Sequence, residues 1–275
     1  MNYRHAYHAG SHTEVFKHAV LVLLLQHLLS KPRPFTVLDT HAGAGLYDLT
    51  AEEAQKTGEA QDGIARVIDK AIPTASAYLD LVRRLNPSGL RCYPGSPAIV
   101  QAFLREEDRL AACELREDDA ALLRANFEDD RRIAVHRRDG YEALGALLPP
   151  MPRRGLVLID PPFERPDEFA AFADALNAGI RKWRSGIFLA WYPLKDRAGI
   201  RELRLRYRPD NPPTLCCELL RRPLDGVRLA GSGVIICNPP WKFEQTLTAL
   251  CRELLTAFDA RTGSYSLEWW IKERG

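Results

Sequence analysis

The residues with the most chemical promise form one stretch, Leu156-Val157-Leu158-Ile159-Asp160-Pro161-Pro162-Phe163. Four apolar residues running into Asp-Pro-Pro-aromatic predict a buried parallel strand that stops at a rigid loop, because proline cannot donate to a sheet ladder. In open α/β sheets, ligands sit beyond the carboxyl ends of the strands. A carboxylate, restricted backbone carbonyls and an aromatic face at such a place suit the exocyclic amine of a nucleobase. Asp160 and the Pro161 carbonyl can accept its two protons while Phe163 stacks on the ring. The same residues also suit a strand end capped by two prolines, with Asp160 in a turn and Phe163 in the core.

A second candidate lies earlier, where the strand-like residues 35–39 run into Thr40-His41-Ala42-Gly43-Ala44-Gly45. Gly43 and Gly45 allow the backbone to approach a ligand where side chains would collide. This is not the dinucleotide fingerprint, because Asp48 stands where the third glycine belongs, and no Gly-Lys-Ser/Thr follows to make a phosphate loop. Asp39 followed by Ala-Gly-x-Gly resembles instead the first motif of methyltransferases that use S-adenosylmethionine. A plain tight turn is the other reading. Asn238-Pro239-Pro240-Trp241 competes with the Asp160 motif, since Asn-Pro-Pro-aromatic also binds amines. The usual crossover puts the strand ending at Asp160 beside the one ending at Asp39. The later motif is expected at the antiparallel edge, with a structural or substrate-rim role.

The elements needed to position these groups follow in α/β order. Residues 109–115, 133–136 and 156–159 read as strands ending near Glu114, Asp139-Gly140 and Asp160. In a nucleoside-binding sheet, a carboxylate after the second strand suits ribose hydroxyls and one after the third suits the adenine edge. Glu114 could equally pair with Arg116, and Asp139-Gly140 is a common turn. Residues 186–192 and 233–237 read as further strands, 266–271 as a last apolar run, and 167–183 and 242–258 as helices. Between 49 and 93 the pattern is helical, broken at Pro73, Pro87 and Gly89, and is read as an insertion. The expected division is therefore residues 1–48 and 94–275 as the main domain, with 49–93 as a helical subdomain. Ser96, after Tyr93-Pro94-Gly95, is expected to cap the next helix or touch a ligand.

The amino-terminal eighteen residues are rich in histidine, aromatic and basic groups and lead into a helical apolar segment, 19–29. His8 and His12 have helix-face spacing, but no glutamate follows His8 as a zinc protease requires. Taken alone, Tyr3, His5 and Lys17 read as a solvated arm and helix surface. A 275-residue chain with 46% hydrophobic and 27% charged residues can bury one large core, which excludes a disordered protein. With a net charge of only +2, any nucleic-acid contact must come from local clustering of charge. Arginines at 131, 132, 137, 138, 153, 154, 201, 204, 206, 208, 221, 222 and 228 are candidates for a phosphate-binding face, and surface solvation explains them as well. Six cysteines without Cys-x-x-Cys spacing disfavour a zinc site or disulfide framework, and no apolar run is long enough to span a membrane, so a cytoplasmic location is expected.

Taken together, Tyr3-Arg4-His5-Ala6-Tyr7-His8-Ala9-Gly10 with Lys17-His18, Leu38 to Gly45, Tyr93 to Pro97, Ile159 to Pro162 and Asn238 to Lys242 resemble the RlmJ family from end to end. The members of that family are bacterial 23S ribosomal RNA adenine-N6 methyltransferases. The resemblance implies a class I, Rossmann-like methyltransferase fold with a mostly parallel seven-stranded sheet and a small helical insertion, working as a monomer on naked or partly assembled rRNA. It implies Asp160 as catalytic acceptor with Pro161 and Phe163, His5 and Lys17 close to the reaction, and Tyr3 and His5 at the RNA. For S-adenosyl-L-methionine it implies His18, His41, Gly43, Ser96, Glu114, Asp139, Gly140 and Asp160, with no metal. Ser11, Glu14 and Phe163 stand where the family usually has Asn, Asp and Tyr. A DNA adenine-N6 methyltransferase, or a non-catalytic cofactor-binding RNA chaperone, would share these motifs.

Overall fold

The computed structural model describes residues 5–272. After a 3-10 turn at His5–Tyr7, the chain forms α1 (His12–Leu29), β1 (Thr36–Asp39) and β2 (Leu46–Asp48). The helices α2 (Glu52–Thr57), α3 (Glu59–Asp62), α4 (Ile64–Val67) and α5 (Ser76–Leu85) lead to β3 (Cys92–Pro94). Next come α6 (Ser96–Phe103), β4 (Arg109–Glu114), α7 (Glu117–Phe127), β5 (Ile133–Arg137), α8 (Gly140–Leu147) and β6 (Gly155–Ile159). The chain closes through α9 (Glu168–Lys182), β7 (Ile187–Leu194), α10 (Ala198–Arg206), β8 (Thr214–Leu220), β9 (Gly231–Cys237), α11 (Phe243–Ala257) and β10 (Ser264–Ile271).

Eight strands form one sheet in the order β10-β8-β9-β7-β6-β1-β4-β5. From β7 to β5 all neighbours are parallel, while β9, β8 and β10 add antiparallel pairs. As the crossover rule requires, β6 lies directly beside β1, with Asp39 level with Leu158. β1 and β6 are buried at every position, which is why they read as continuous apolar runs.

The sheet has eight strands where seven were expected, and the extra one is β8. Thr214-Leu-Cys-Cys-Glu-Leu-Leu is buried throughout between β9 and β10, so it shows no period-2 alternation to mark it as a strand. β9 is likewise an interior strand and not the antiparallel edge, which is β10. The 49–93 segment is helical as its pattern suggests, but β2 and β3 pair across its two ends. At three residues each, these strands are too short to display a pattern.

Apolar side chains fill both faces of the sheet. The larger cluster gathers around α1, α6 and α11, and the smaller around α8, α9 and α10. α1 is buried nearly all round, so it is a core helix and not a surface one. It begins at His12, a full two turns before the expected apolar body, because Ser11 caps it by accepting a hydrogen bond from the Glu14 amide (3.3 Å). Glu14, Lys17 and His18 therefore lie inside the helix and inside the protein, and the solvated reading of Lys17 is wrong. Among the described residues no helix is long and apolar enough to cross a membrane.

Candidate active site

Four strand ends deliver acidic groups to one end of the sheet. Asp39 ends β1, Glu114 ends β4, Asp139 follows β5 and Asp160 follows β6. The loop after β1 is tied to both neighbours, the Thr40 amide donating to the Leu158 carbonyl (3.0 Å) and the Ala42 amide to the Cys113 carbonyl (2.8 Å). Gly43 takes a left-handed φ of 58°, and its amide donates to Glu114 Oε2 (2.9 Å) while the Arg116 amide donates to Oε1 (2.7 Å). Asp139 caps α8, its Oδ1 accepting from the amides of Tyr141 (2.8 Å) and Glu142 (3.1 Å). At Gly140 a Cβ would sit 2.2 Å from the Thr40 carbonyl oxygen, so the β1 loop and α8 close on each other only through glycine. His41 stands edge-on to Tyr141 (5.3 Å), and burial pushes its imidazole down to about 4, so it is neutral at pH 7.

Asp39 is fully buried. Its Oδ1 accepts a long bond from the His41 amide (3.3 Å), while Oδ2 has no well-formed hydrogen bond among the described residues. Burial and the neighbouring Asp160 raise this carboxyl to about 7, against the pull of the Ser96 hydroxyl, Lys17 and the His41 amide.

The second half of the site comes from α1. Lys17, only 1% exposed, places its ammonium between Glu14 Oε1 and Asp160 Oδ2, with the Trp191 ring 5.9 Å away. The other oxygen of Glu14 meets His5 Nε2 at 2.8 Å. His18 lies behind, its Nδ1 on the Tyr93 hydroxyl (2.9 Å) and that hydroxyl on Tyr78 (2.9 Å). Burial would suppress the Lys17 charge, but Asp160 and Glu14 hold it firmly cationic. Burial raises Asp160 above the ordinary carboxylate range, and Lys17 opposes that rise. Burial pushes His18 down to about 3, so its imidazole is neutral.

Two cavities meet at Asp160. One runs over the β1, β4 and β5 ends and is lined by His41, Gly43, Glu114, Leu115, Asp139 and Gly140. The other opens toward the N-terminal turn and is lined by Glu14, Pro161, Phe163, Trp191 and Lys195 among others. His5, Asp160 and Pro162 border both, so they form the wall between them. Phe163, at φ 51°, packs against Phe169, Phe172 and Trp191 (centroids 4.7, 5.6 and 6.0 Å) while it lines the second cavity.

The structure thus brings Lys17, His5, Asp160, Pro161 and Phe163 together, and likewise His41, Gly43, Glu114, Asp139 and Gly140. His18 and Ser96 are buried and line neither cavity. Ser96 opens α6 without capping it. Tyr3 lies outside the described residues. His8 and His12 part company, His8 pairing with Glu59 (2.9 Å) and His12 turning its edge to Phe258. Sequence reasoning passed over Glu14, Leu115, Trp191 and Lys195. Of these only Glu14 left a signal, three residues before Lys17 and four before His18 on one helix face.

Asn238 stands at the other end of the sheet, since Cys237 pairs with Phe188 at the start of β7 whereas Asp160 follows the end of β6. Its amide nitrogen donates to the carbonyls of Arg184 (2.8 Å) and Gly186 (2.7 Å), and Trp241 is exposed. Most of the candidate arginines are engaged where they stand. Arg131, Arg132, Arg137, Arg204, Arg206, Arg208 and Arg228 hold ion pairs, while Arg154, Arg221 and Arg222 donate to backbone carbonyls. The candidates lie on many elements, with Arg201 and Arg204 lining one cavity and Arg221 and Arg222 another.

A doubly wound sheet with acidic groups at successive strand ends and a glycine turn between them defines a Rossmann-like methyltransferase fold. The family model described as ribosomal RNA large subunit methyltransferase D, RlmJ, matches residues 32–271, and the chain belongs to this family. It is 40% identical to ribosomal RNA large subunit methyltransferase J of Escherichia coli over 99% of this chain and 100% of that one. The protein of the same name from Haemophilus influenzae is 38% identical over 99% and 100%. A crystal structure of protein LPL1258 from Legionella pneumophila superimposes with a TM-score of 0.89 at 32% identity, covering 95% of this chain and 98% of that one.

Proposed function

We propose that this protein transfers a methyl group from S-adenosylmethionine to the N6 amine of an adenine in 23S ribosomal RNA. The observation that carries the reading is the wall formed by Asp160 and Pro162 between two cavities, one suited to a nucleoside donor and one to an incoming base. Several features fit the donor. Leu115, a large apolar side chain 46% exposed, borders the first cavity beside the Glu114 carboxylate, offering an adenine an apolar wall and ribose hydroxyls an acceptor. Asp39 Oδ2, buried and without a well-formed hydrogen bond among the described residues, is a candidate acceptor for an ammonium group next to this cavity but does not line it. His41, Gly43, Asp139 and Gly140 also line it, while His18 and Ser96, buried and outside the lining, would act only through residues that do.

When bound, S-adenosylmethionine supplies an electrophilic methyl, the C–S bonding pair returning to sulfur as the amine lone pair forms the new C–N bond. An adenine N6 lone pair is delocalised into the ring, so it attacks poorly while the amine is planar. Asp160 and the Pro161 carbonyl accept its two N–H groups and favour the pyramidal form. As positive charge grows on nitrogen, the Asp160 carboxylate stabilises it and then receives the departing proton. Lys17 keeps Asp160 ionised against the effect of burial. Phe163 and Trp191 give the base apolar faces on which to stack. The adenine must leave its stack to enter, which favours an unpaired or flexible target in naked or partly assembled RNA. We take the enzyme to act as a cytoplasmic monomer.

The test is turnover of labelled cofactor on a 23S rRNA transcript, followed by mass-spectrometric mapping of N6-methyladenine. Wild type should modify the RNA faster than duplex DNA, and Asp160→Ala should lose about 10³-fold or more in kcat, as expected for removal of a preorganised electrostatic group. Faster methylation of DNA, or an unimpaired Asp160→Ala, would overturn the reading.

A further inference from the structure

The chemistry above needs Asp160, yet Asp160 shares a buried ammonium with a second carboxylate that the mechanism has not used. Glu14 lies in the first turn of α1, 5% exposed, and each of its oxygens is taken, one by Lys17 and the other by His5. It also borders the cavity assigned to the base. A buried ionic cluster of this kind gives little stability over an apolar replacement, because desolvating the charges offsets most of their attraction. Its presence next to the reacting carboxylate needs another reason.

The reason lies in the charge count. A lone Lys17–Asp160 pair would be neutral. The ammonium would draw electron density from the carboxylate and make it a poorer acceptor for the amine protons. With Glu14 on the same ammonium, one cation faces two carboxylates, so these three groups carry a net negative charge where positive charge must develop, balanced only when His5 is protonated. We propose that Glu14 is a positioning residue that shares Lys17 with Asp160, so that Asp160 stays basic enough to accept from, and take a proton from, the reacting amine. This inference rests on the proposed methyl transfer and adds a residue to it.

The electrostatics run in this sense. Burial opposes ionisation of Glu14, but Lys17, His5 and His18 overcome it and hold Glu14 ionised. The negative charge of Glu14 in turn adds to the burial that raises Asp160. The groups facing Glu14 are Lys17 and His18 from its own helix, His5 from the N-terminal turn and Asp160 after β6. The hydroxyls of Tyr47, Tyr78 and Tyr93 face it from β2, α5 and β3. His18 is held neutral by burial, and the tyrosines are pushed above their ordinary range. Asp39, which burial and Asp160 push up to about 7, faces Asp160 from the end of β1. Near neutral pH the cluster therefore changes charge through Asp160, Asp39 and His5, whose imidazole burial disfavours as a cation but Glu14 raises on balance.

Glu14→Gln keeps the shape and removes the charge, and Glu14→Asp keeps the charge. With 23S transcript as substrate, E14Q should lower kcat on the order of 10- to 100-fold, as for loss of one charge-assisted interaction, with KM for S-adenosylmethionine nearly unchanged. The acid limb of kcat against pH should move to lower pH in E14Q, because Asp160 loses a repelling neighbour, and E14D should restore both rate and limb. Calorimetric binding of S-adenosylhomocysteine, equal in E14Q and wild type, shows that the fold and first cavity are intact. The proposal is overturned if E14Q keeps the wild-type kcat, if its rate falls while the acid limb stays in place, or if E14D behaves like E14Q. Wild type run alongside separates the two readings, since a wild type that puts no methyl on adenine N6 defeats the proposed function itself, whatever E14Q does.

Discussion

Asp39 shows how much burying one carboxyl can set against stability. A carboxyl that titrates near 7 when folded and near 3.8 when unfolded adds its full stability below pH 4 and loses it as pH rises through 7. Asp39→Asn removes that penalty. Urea unfolding should show the variant more stable than wild type by about 2 kcal/mol at pH 8 and no more stable at pH 4. If the orphaned Oδ2 awaits an ammonium group, the same variant should bind S-adenosylhomocysteine at least about 10-fold more weakly, the cost of one charged hydrogen bond. Equal affinity would remove Asp39 from the donor site. Asp39, Glu114, Asp139 and Asp160 were legible at this scale, because each ends an apolar run and the reason for a carboxylate there is local. Glu14, Leu115 and Trp191 were not, because their relevance comes from what folds against them.

At the scale of elements, two proline-containing loops of similar composition end up at opposite ends of one sheet. Chain direction is the cause. β6 runs parallel to β1 and delivers Asp160 to the carboxyl ends, whereas β9 runs antiparallel to β7 and delivers Asn238 to the amino ends. Asn238 is held at φ 53° and bonds two carbonyls around Gly186. Asn238→Ala should cost about 2 to 3 kcal/mol in a denaturant melt, from two lost hydrogen bonds and the left-handed backbone, and leave kcat on RNA unchanged. A variant of normal stability with impaired kcat would return this loop to the active site. α1 makes the complementary point. Its capped start places three polar side chains on a core helix, and they are tolerated because Lys17 bonds Glu14 and Asp160 while His18 bonds the Tyr93 hydroxyl.

Taken as a whole, the molecule engages most of its candidate arginines with acidic or carbonyl partners. With a net charge of +2 and most candidate arginines held by acidic or carbonyl partners, few are left to replace counterions on RNA. The affinity for a single-stranded 23S fragment should therefore fall only modestly with salt, with a log–log slope of about −2 to −4, as for three to five phosphate contacts. A slope near −7 would indicate a broad basic face.

By itself, the order of residues determined the parallel core of the sheet, the acidic groups at its strand ends and the family, because these depend on unbroken apolar runs and on motifs a few residues long. Only the tertiary structure decided that β8 exists, that β9 is interior and reversed, and that most of the candidate arginines have acidic or carbonyl partners. It alone buried Lys17 between Glu14 and Asp160 and made Asp160 the partition between two cavities. Lys17 and Asp160 are 143 residues apart and the pairings of β8 and β9 join strands tens of residues apart, and contact at that range is set by how the sheet and helices pack, which no local pattern records.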